Sequence, residues 1–233
     1  AKTIEHLWDT VDRIDIIYIC SNASIARQNL DKLNVLGADA KSPPLSTRLT
    51  MLATELAARD GRPSIQDNKV NFISFTPSTS FETKSSTGRY EERRVLFNLL
   101  QPHVGRWIPL ANFLQVGVSN HERWRRILSY PIPIEPTIQT KFGEAVLNDP
   151  LLLSELHEVL DRWFRRYGRR WSDAERSERN WRRNSLIGRF RTLLARVSID
   201  ALEPDLVIMD EFQRFKSLLE TKTDAQDDAA ELA

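Results

Sequence analysis

At 233 residues, with 41% hydrophobic and 28% charged side chains and a net charge of +1, the chain has the composition of an ordinary soluble globular protein, with material for one large domain or two small ones. Its apolar runs, Ile14 to Cys20 and Leu206 to Met209 among them, fall far short of the ~20 residues a membrane-spanning helix needs, and no basic-then-apolar signal segment opens the chain. A cytoplasmic placement is therefore expected, and the single Cys20 excludes an internal disulfide.

Lys2 to Trp8 reads as the interior of a helix because no capping residue precedes it, so the chain is expected to be cut at its start. Ile14 to Cys20 is short, β-branched and almost continuously apolar, the pattern of a strand buried on both faces of a parallel sheet. Cys20 inside it reads as a small buried hydrophobe. After a Ser21-Asn22 turn the period changes, and Ile25, Ala26, Leu30 and Leu33 recur at helical spacing.

A helix is expected over Ser46 to Arg59, a second buried strand over Val70 to Phe75 and a helix over Tyr90 to Leu100. About 125 mostly helical residues separate that second strand from a third, Asp205 to Met209, far more than a simple crossover requires. Within them, Asp149-Pro150 starts a helix whose apolar face is Leu152, Leu153, Leu156, Val159, Leu160, Trp163, Phe164 and Tyr167. Ser172-Asp173-Ala174-Glu175 has capping-box spacing and starts another, and Leu186, Ile187, Phe190, Leu193, Leu194 and Val197 mark a third. The tail Thr221 to Ala233 is polar and acidic, either frayed or the stump of something longer.

Charge is unevenly spread. Arg162 to Arg196 holds twelve arginines against Asp173, Glu175 and Glu178, a local charge of +9, so the rest carries −8 of the overall +1. Such a face suits phosphate backbones, arginine having the fork for bidentate phosphate contact, and Trp163, Trp171 and Trp181 lie among the arginines. The plainer alternative is a solvated face with aromatics in the core and local ion pairs. The histidines are scattered: His121-Glu122 and His157-Glu158 begin like a zinc-helix signature, but Arg125 and Asp161 stand where the second histidine would be.

The third strand delivers two adjacent carboxylates, Asp210 and Glu211. At a rigid sheet edge beside nucleotide phosphates, the first could hold magnesium through water and the second could orient or deprotonate the attacking water. Three buried strands, each ending at a polar group, predict an open α/β sheet with its site along the strands' carboxyl ends.

Val207-Ile208-Met209-Asp210-Glu211-Phe212-Gln213 resembles motif II of superfamily 2 helicases and chromatin-remodeller-like ATPases, a DExx box in the variant Asp-Glu-Phe-Gln. Tyr18 to Asn22 with the helix from Ile25 to Leu30 resembles motif Ia, and Ser74 to Phe81 the Thr-Pro turn of motif Ib. The resemblance implies a partial RecA-like parallel sheet with a large helical insertion. It divides the chain into 1–81, the first part of a motor domain; 82–185, the insertion; 186–220, the return to the sheet; and 221–233, the tail. It also implies ATP and Mg2+ as cofactors, with Asp210 and Glu211 at the metal, Glu211 as general base and Gln213 coupling nucleotide state to neighbouring motifs. Ser21, Asn22, Arg27, Gln28, Thr76 and Ser78 would touch DNA or RNA.

The eight glycines form no Gly-Lys-Thr or Gly-Lys-Ser phosphate loop, and no Ser-Ala-Thr motif follows the acidic pair. The chain is therefore expected to be part of a nucleic-acid-dependent ATP hydrolase, inactive alone and completed by the remainder of the parent, a second motor domain included; no membrane is involved. Two other classes stay open. One is a non-enzymatic arginine-rich module that binds nucleic acid or protein. The other is a metal-dependent nuclease built on Asp210 and Glu211, for which no third carboxylate or catalytic lysine stands at recognisable spacing.

Overall fold

The protein is described here by a computed structural model that covers residues 12–20, 29, 45–46, 48–57, 69–75, 87–165 and 172–210. Strand β1 (Ile14–Ile19) comes first, followed by a two-residue strand β2 (Leu45–Ser46), a 3-10 turn over Leu49–Met51 and a short helix α1 (Leu52–Glu55). Strand β3 (Val70–Phe75) precedes helices α2 (Tyr90–Val104), α3 (Trp107–Leu114), α4 (His121–Ser129), α5 (Pro136–Leu147) and α6 (Pro150–Val159). A π-helical turn, Leu160–Phe164, extends α6, and the chain then enters helix α7 (Asp173–Leu202) and strand β4 (Leu206–Met209).

The fold is α/β, mostly helical, around a small parallel sheet of order β2-β3-β1-β4. The three strands expected from the sequence are present within one residue of their expected ends. Alternation assigns the two faces of the sheet. Ile17, Ile73 and Phe75 join one core with the helices, among them Leu96, Leu100, Leu110, Phe113, Trp124 and Phe190, while Tyr18, Cys20, Val70 and Phe72 form a smaller apolar cluster on the other face. The helices thus share a core with the sheet that they follow.

Two expectations around the sheet are corrected. Ser46 belongs to no helix: Leu45 and Ser46 pair with Ile73 and Ser74, and the helix is confined to Leu52–Glu55, with Thr54 Oγ1 bonding back to the Met51 carbonyl at 3.0 Å. Sheet pairing overrides the helical period there. The third strand is not buried on both faces: β4 has Leu206 48%, Val207 44% and Met209 40% exposed, and among the described residues only β1 flanks it.

The helix signals hold in detail. Asp149 accepts the Leu152 amide at 2.9 Å with Pro150 in the first turn, and Ser172 and Glu175 close a reciprocal capping box. The two helices expected after Ser172 are one 30-residue helix, which runs through position 185 without a break. It ends at Glu203, held in the left-handed region at φ 45°, just before Pro204.

Helices α2 and α7 are tied by a buried polar knot. Glu92, on the first turn of α2, is 1% exposed and takes bonds from Thr50 Oγ1 at 2.6 Å, the Arg89 amide at 2.6 Å and Arg191 of α7 at 2.9 and 3.1 Å. Burial pushes the Glu92 carboxyl up, but the Thr50, Arg89 and Arg191 contacts together hold it below the ordinary glutamate value. Gly88, at φ +61°, passes so close that a Cβ there would stand 2.4 Å from Arg191 Nε and 2.6 Å from Glu92 Oε2.

Candidate functional site

The carboxyl ends of β3, β1 and β4 lie side by side. Ile19 is in register with both Phe75 and Met209, the Cys20 amide donates to the Phe75 carbonyl at 3.1 Å, and the Asp210 amide donates to the Ile19 carbonyl at 2.8 Å. The next residues along the chain are Ser21, Thr76 and Asp210 itself. Of the residues singled out in the sequence, Asp210 is described; Ser21, Asn22, Arg27, Gln28, Thr76, Ser78, Glu211 and Gln213 lie outside the described residues.

Asp210 is half-buried and held from two sides. The Tyr18 hydroxyl donates to its Oδ2, and Asn29 Nδ2 donates both to Tyr18 Oη at 2.8 Å and to Asp210 Oδ2 at 3.2 Å. Tyr18, 3% exposed, is locked as a donor: burial first, then the bond to Asp210, pushes its phenol above the ordinary tyrosine value. The fixed point of the site is therefore a triad of carboxylate, phenol and amide, with both donors on the same carboxylate oxygen.

Sequence reasoning placed Tyr18 and Asn29 in motif-like stretches but gave neither a role. The available signal was Tyr18 itself, because a hydroxyl in a buried strand, flanked there by isoleucines, must find a partner. Among the described residues no group of three or more His, Cys, Asp and Glu side chains comes together. The Tyr18 and Asn29 contacts both fall on Oδ2 of Asp210, which leaves Oδ1 as the carboxylate oxygen that could take a cation.

The opposite end of the sheet is polar for structural reasons. Asp15 accepts from Asn71 Nδ2 at 2.7 Å, its amide donates to Asp205 Oδ2 at 2.8 Å, and Arg13 lies 2.9 Å from its carboxylate. These contacts pin β1 between β3 and the entry to β4. Burial nevertheless raises the Asp15 carboxyl above its usual value, against the lowering effect of Asn71 and Arg13.

The arginine-rich stretch divides into two classes. Arg191 is spent on Glu92; Arg189 pairs with Glu155 at 2.5 Å, and Arg182 with Glu158 and Glu178 at 3.4 Å. Arg162 reaches Glu178 at 3.7 Å and stacks over Trp163, 4.4 Å from the ring centroid. Trp163 is core at 3% exposed, Trp181 is 71% exposed, and Trp171, Arg166, Arg169 and Arg170 lie outside the described residues.

Arg179 and Arg183 differ from the paired arginines. Both are half-buried on α7, and neither has a carboxylate partner among the described residues. Among the described residues, Arg183 bonds only the amide oxygens of Asn180 at 3.1 Å and Asn184 at 3.4 Å, and Arg179 Nε, shut from solvent, has no acceptor. Burial, then the charges of Arg179 and Arg93, pulls the Arg183 guanidinium down to about 10. Arg93 is itself saturated by the carbonyls of Leu114, Thr87, Gly88 and Val116.

No family model, curated protein or solved structure matches this chain.

Proposed function

We propose that this chain is part of a RecA-like motor domain of a nucleic-acid-dependent ATPase, in which Asp210 serves magnesium and Glu211 acts as general base. The observation that carries the reading is the alignment of three strand ends on one edge of a parallel sheet, with the Asp210 carboxylate fixed there by Tyr18 and Asn29. Ligands of open α/β sheets bind at that edge. Among the described residues the triad engages one carboxylate oxygen and leaves the other open, which is what an acid serving a metal at a rigid edge needs.

Magnesium, when bound with ATP, neutralises charge on the transferring phosphoryl group. The chain's own part in this reading is positional. Tyr18 and Asn29 orient Asp210, Glu211 accepts a proton from the attacking water, and Gln213 links the nucleotide to neighbouring motifs. Ser21, Asn22, Arg27, Gln28, Thr76 and Ser78, beyond the other two strand ends, contact the DNA or RNA backbone. The lysine and amides of a phosphate loop are absent from the sequence, so hydrolysis requires them from elsewhere in the parent. The same reading places the protein in the cytoplasm; among the described residues no helix is long and apolar enough to cross a membrane.

The test is oligonucleotide-stimulated ATP hydrolysis by the full reading frame and its Glu211→Gln variant. A general base contributes about 10²- to 10⁴-fold, so stimulated turnover in the variant should fall at least ~100-fold. Turnover within a few-fold of the parent overturns the assignment.

A further inference from the structure

Two half-buried arginines one helical turn apart, without a carboxylate between them, are an unusual use of charge. Gathering like-charged guanidinium groups where water is partly excluded costs stability, and other described arginines of the basic stretch avoid that cost. Arg182, Arg189 and Arg191 are paired with acids, while Arg165 and Arg196 are exposed to water. On α7 the stripe of Phe190 and Ile187 leads into the core, and one turn before Ile187 the same stripe continues as Arg183 and then Arg179.

We infer that Arg179 and Arg183 form a phosphate-binding site on α7, apart from the strand-end edge, that takes a backbone phosphodiester of DNA or RNA. Positions i and i+4 stand on one side of a helix with a rise of about 6 Å, so two planar forks converge on one tetrahedral anion. The bonds from Arg183 to Asn180 and Asn184 fix the direction of its fork beforehand. Arg93, already satisfied by four carbonyls, adds positive field without competing for the ligand. A chloride-sized ion would leave most of the donors unused, whereas phosphate oxygens match them. Trp181, two residues from each arginine, projects from the other side of the helix and is not part of this site.

The experiment compares two double variants of equal charge change in the full chain, Arg179→Gln with Arg183→Gln and Arg182→Gln with Arg189→Gln. Binding of a fluorescein-labelled single-stranded or duplex DNA oligomer is followed by anisotropy across a salt series. The first pair should weaken binding ~tenfold or more and lower the slope of log affinity against log salt by about 1, one phosphate contact being lost; the second should change affinity less than ~twofold. Equal weakening by both pairs, or by neither, overturns the site.

Two further readouts guard the interpretation. Thermal melting of the Arg179→Gln, Arg183→Gln protein should be no lower than wild type, because a repulsive pair has been removed; a lower melting temperature would mark the two arginines as structural and overturn the inference. The double variant Arg179→Lys, Arg183→Lys keeps the charge without the fork, and should still bind several-fold more weakly. Inorganic phosphate is included as competitor. If millimolar phosphate alone displaces the oligomer, the occupant is a free phosphate, and the polymer assignment is overturned while the two-arginine site stands. The assay uses no nucleotide and leaves Glu211 intact, so it can fail while the hydrolysis reading holds, and the reverse.

Discussion

Replacing Arg191 with Met tests the polar knot between α2 and α7. The substitution keeps much of the side-chain volume but leaves the Glu92 carboxylate, 1% exposed, with the Thr50 hydroxyl, the Arg89 amide and a distant Arg48 guanidinium at 3.6 Å. Removing one partner of a buried ion pair costs about 3–5 kcal/mol, a large part of the ~5–15 kcal/mol by which a domain is stable. For a chain of this length each kcal/mol shifts the melting temperature by about 2–4 °C, so the variant should melt about 6–20 °C lower.

Circular dichroism on heating and in urea measures both quantities, and pH supplies a second axis. The folded pKa of Glu92 lies below its unfolded value of 4.5, so its contribution is complete above that pH and is lost as pH falls through the folded value. In the Arg191→Met variant this acid-dependent loss should shrink, since part of what depressed the pKa is gone. Adding Glu92→Leu should recover most of the stability, because an apolar pair replaces a buried carboxylate that has lost its nearest cation. A loss below ~1 kcal/mol in the single variant, or an unchanged acid slope, would refute the account.

Gly88→Ala should destabilise by at least ~2 kcal/mol in chemical denaturation, combining left-handed strain with collision against Arg191, whereas Gly105→Ala, at φ +64° with open space around it, should cost only the ~1 kcal/mol of strain. Tyr18→Phe should remove a phenol that titrates above pH 10 in ultraviolet absorbance; in the parent, stability should decline as pH rises from 10 towards the folded value, since the unfolded chain ionises first. Asp15→Asn should stabilise at pH 7, where burial disfavours the carboxylate, and the gain should vanish below pH ~4, where both states are protonated. Ser172→Ala should cost about 1 kcal/mol and speed amide exchange in the first turn of α7.

Strand positions were legible because buried parallel strands leave an unbroken apolar run, and Asp149-Pro150 and Ser172 to Glu175 were legible because capping is local chemistry. The exposure of β4 was not, since an apolar run carries no mark of whether it lies at a sheet's centre or edge. The split among the arginines was hidden for a related reason. Which of them meets an acid depends on α6 presenting Glu155 and Glu158 to α7, a fact of helix packing. Asn29 reaches Asp210 across 181 positions of sequence, and no local pattern announces such a contact.

The sheet's connectivity also sets an order of events. Its central strand closes against a partner that the chain reaches last: the Asp15 amide meets Asp205 across 190 positions, and Tyr18 meets Asp210 across 192. Contacts of such separation are slow to form, whereas the helices from Tyr90 onwards are joined by short links and can assemble first. During synthesis β1 must therefore wait with one side open until α7 has been made and β4 has emerged. A ribosome pausing within α7 would leave a nascent chain with its helices formed and the Asp210 corner still unmade.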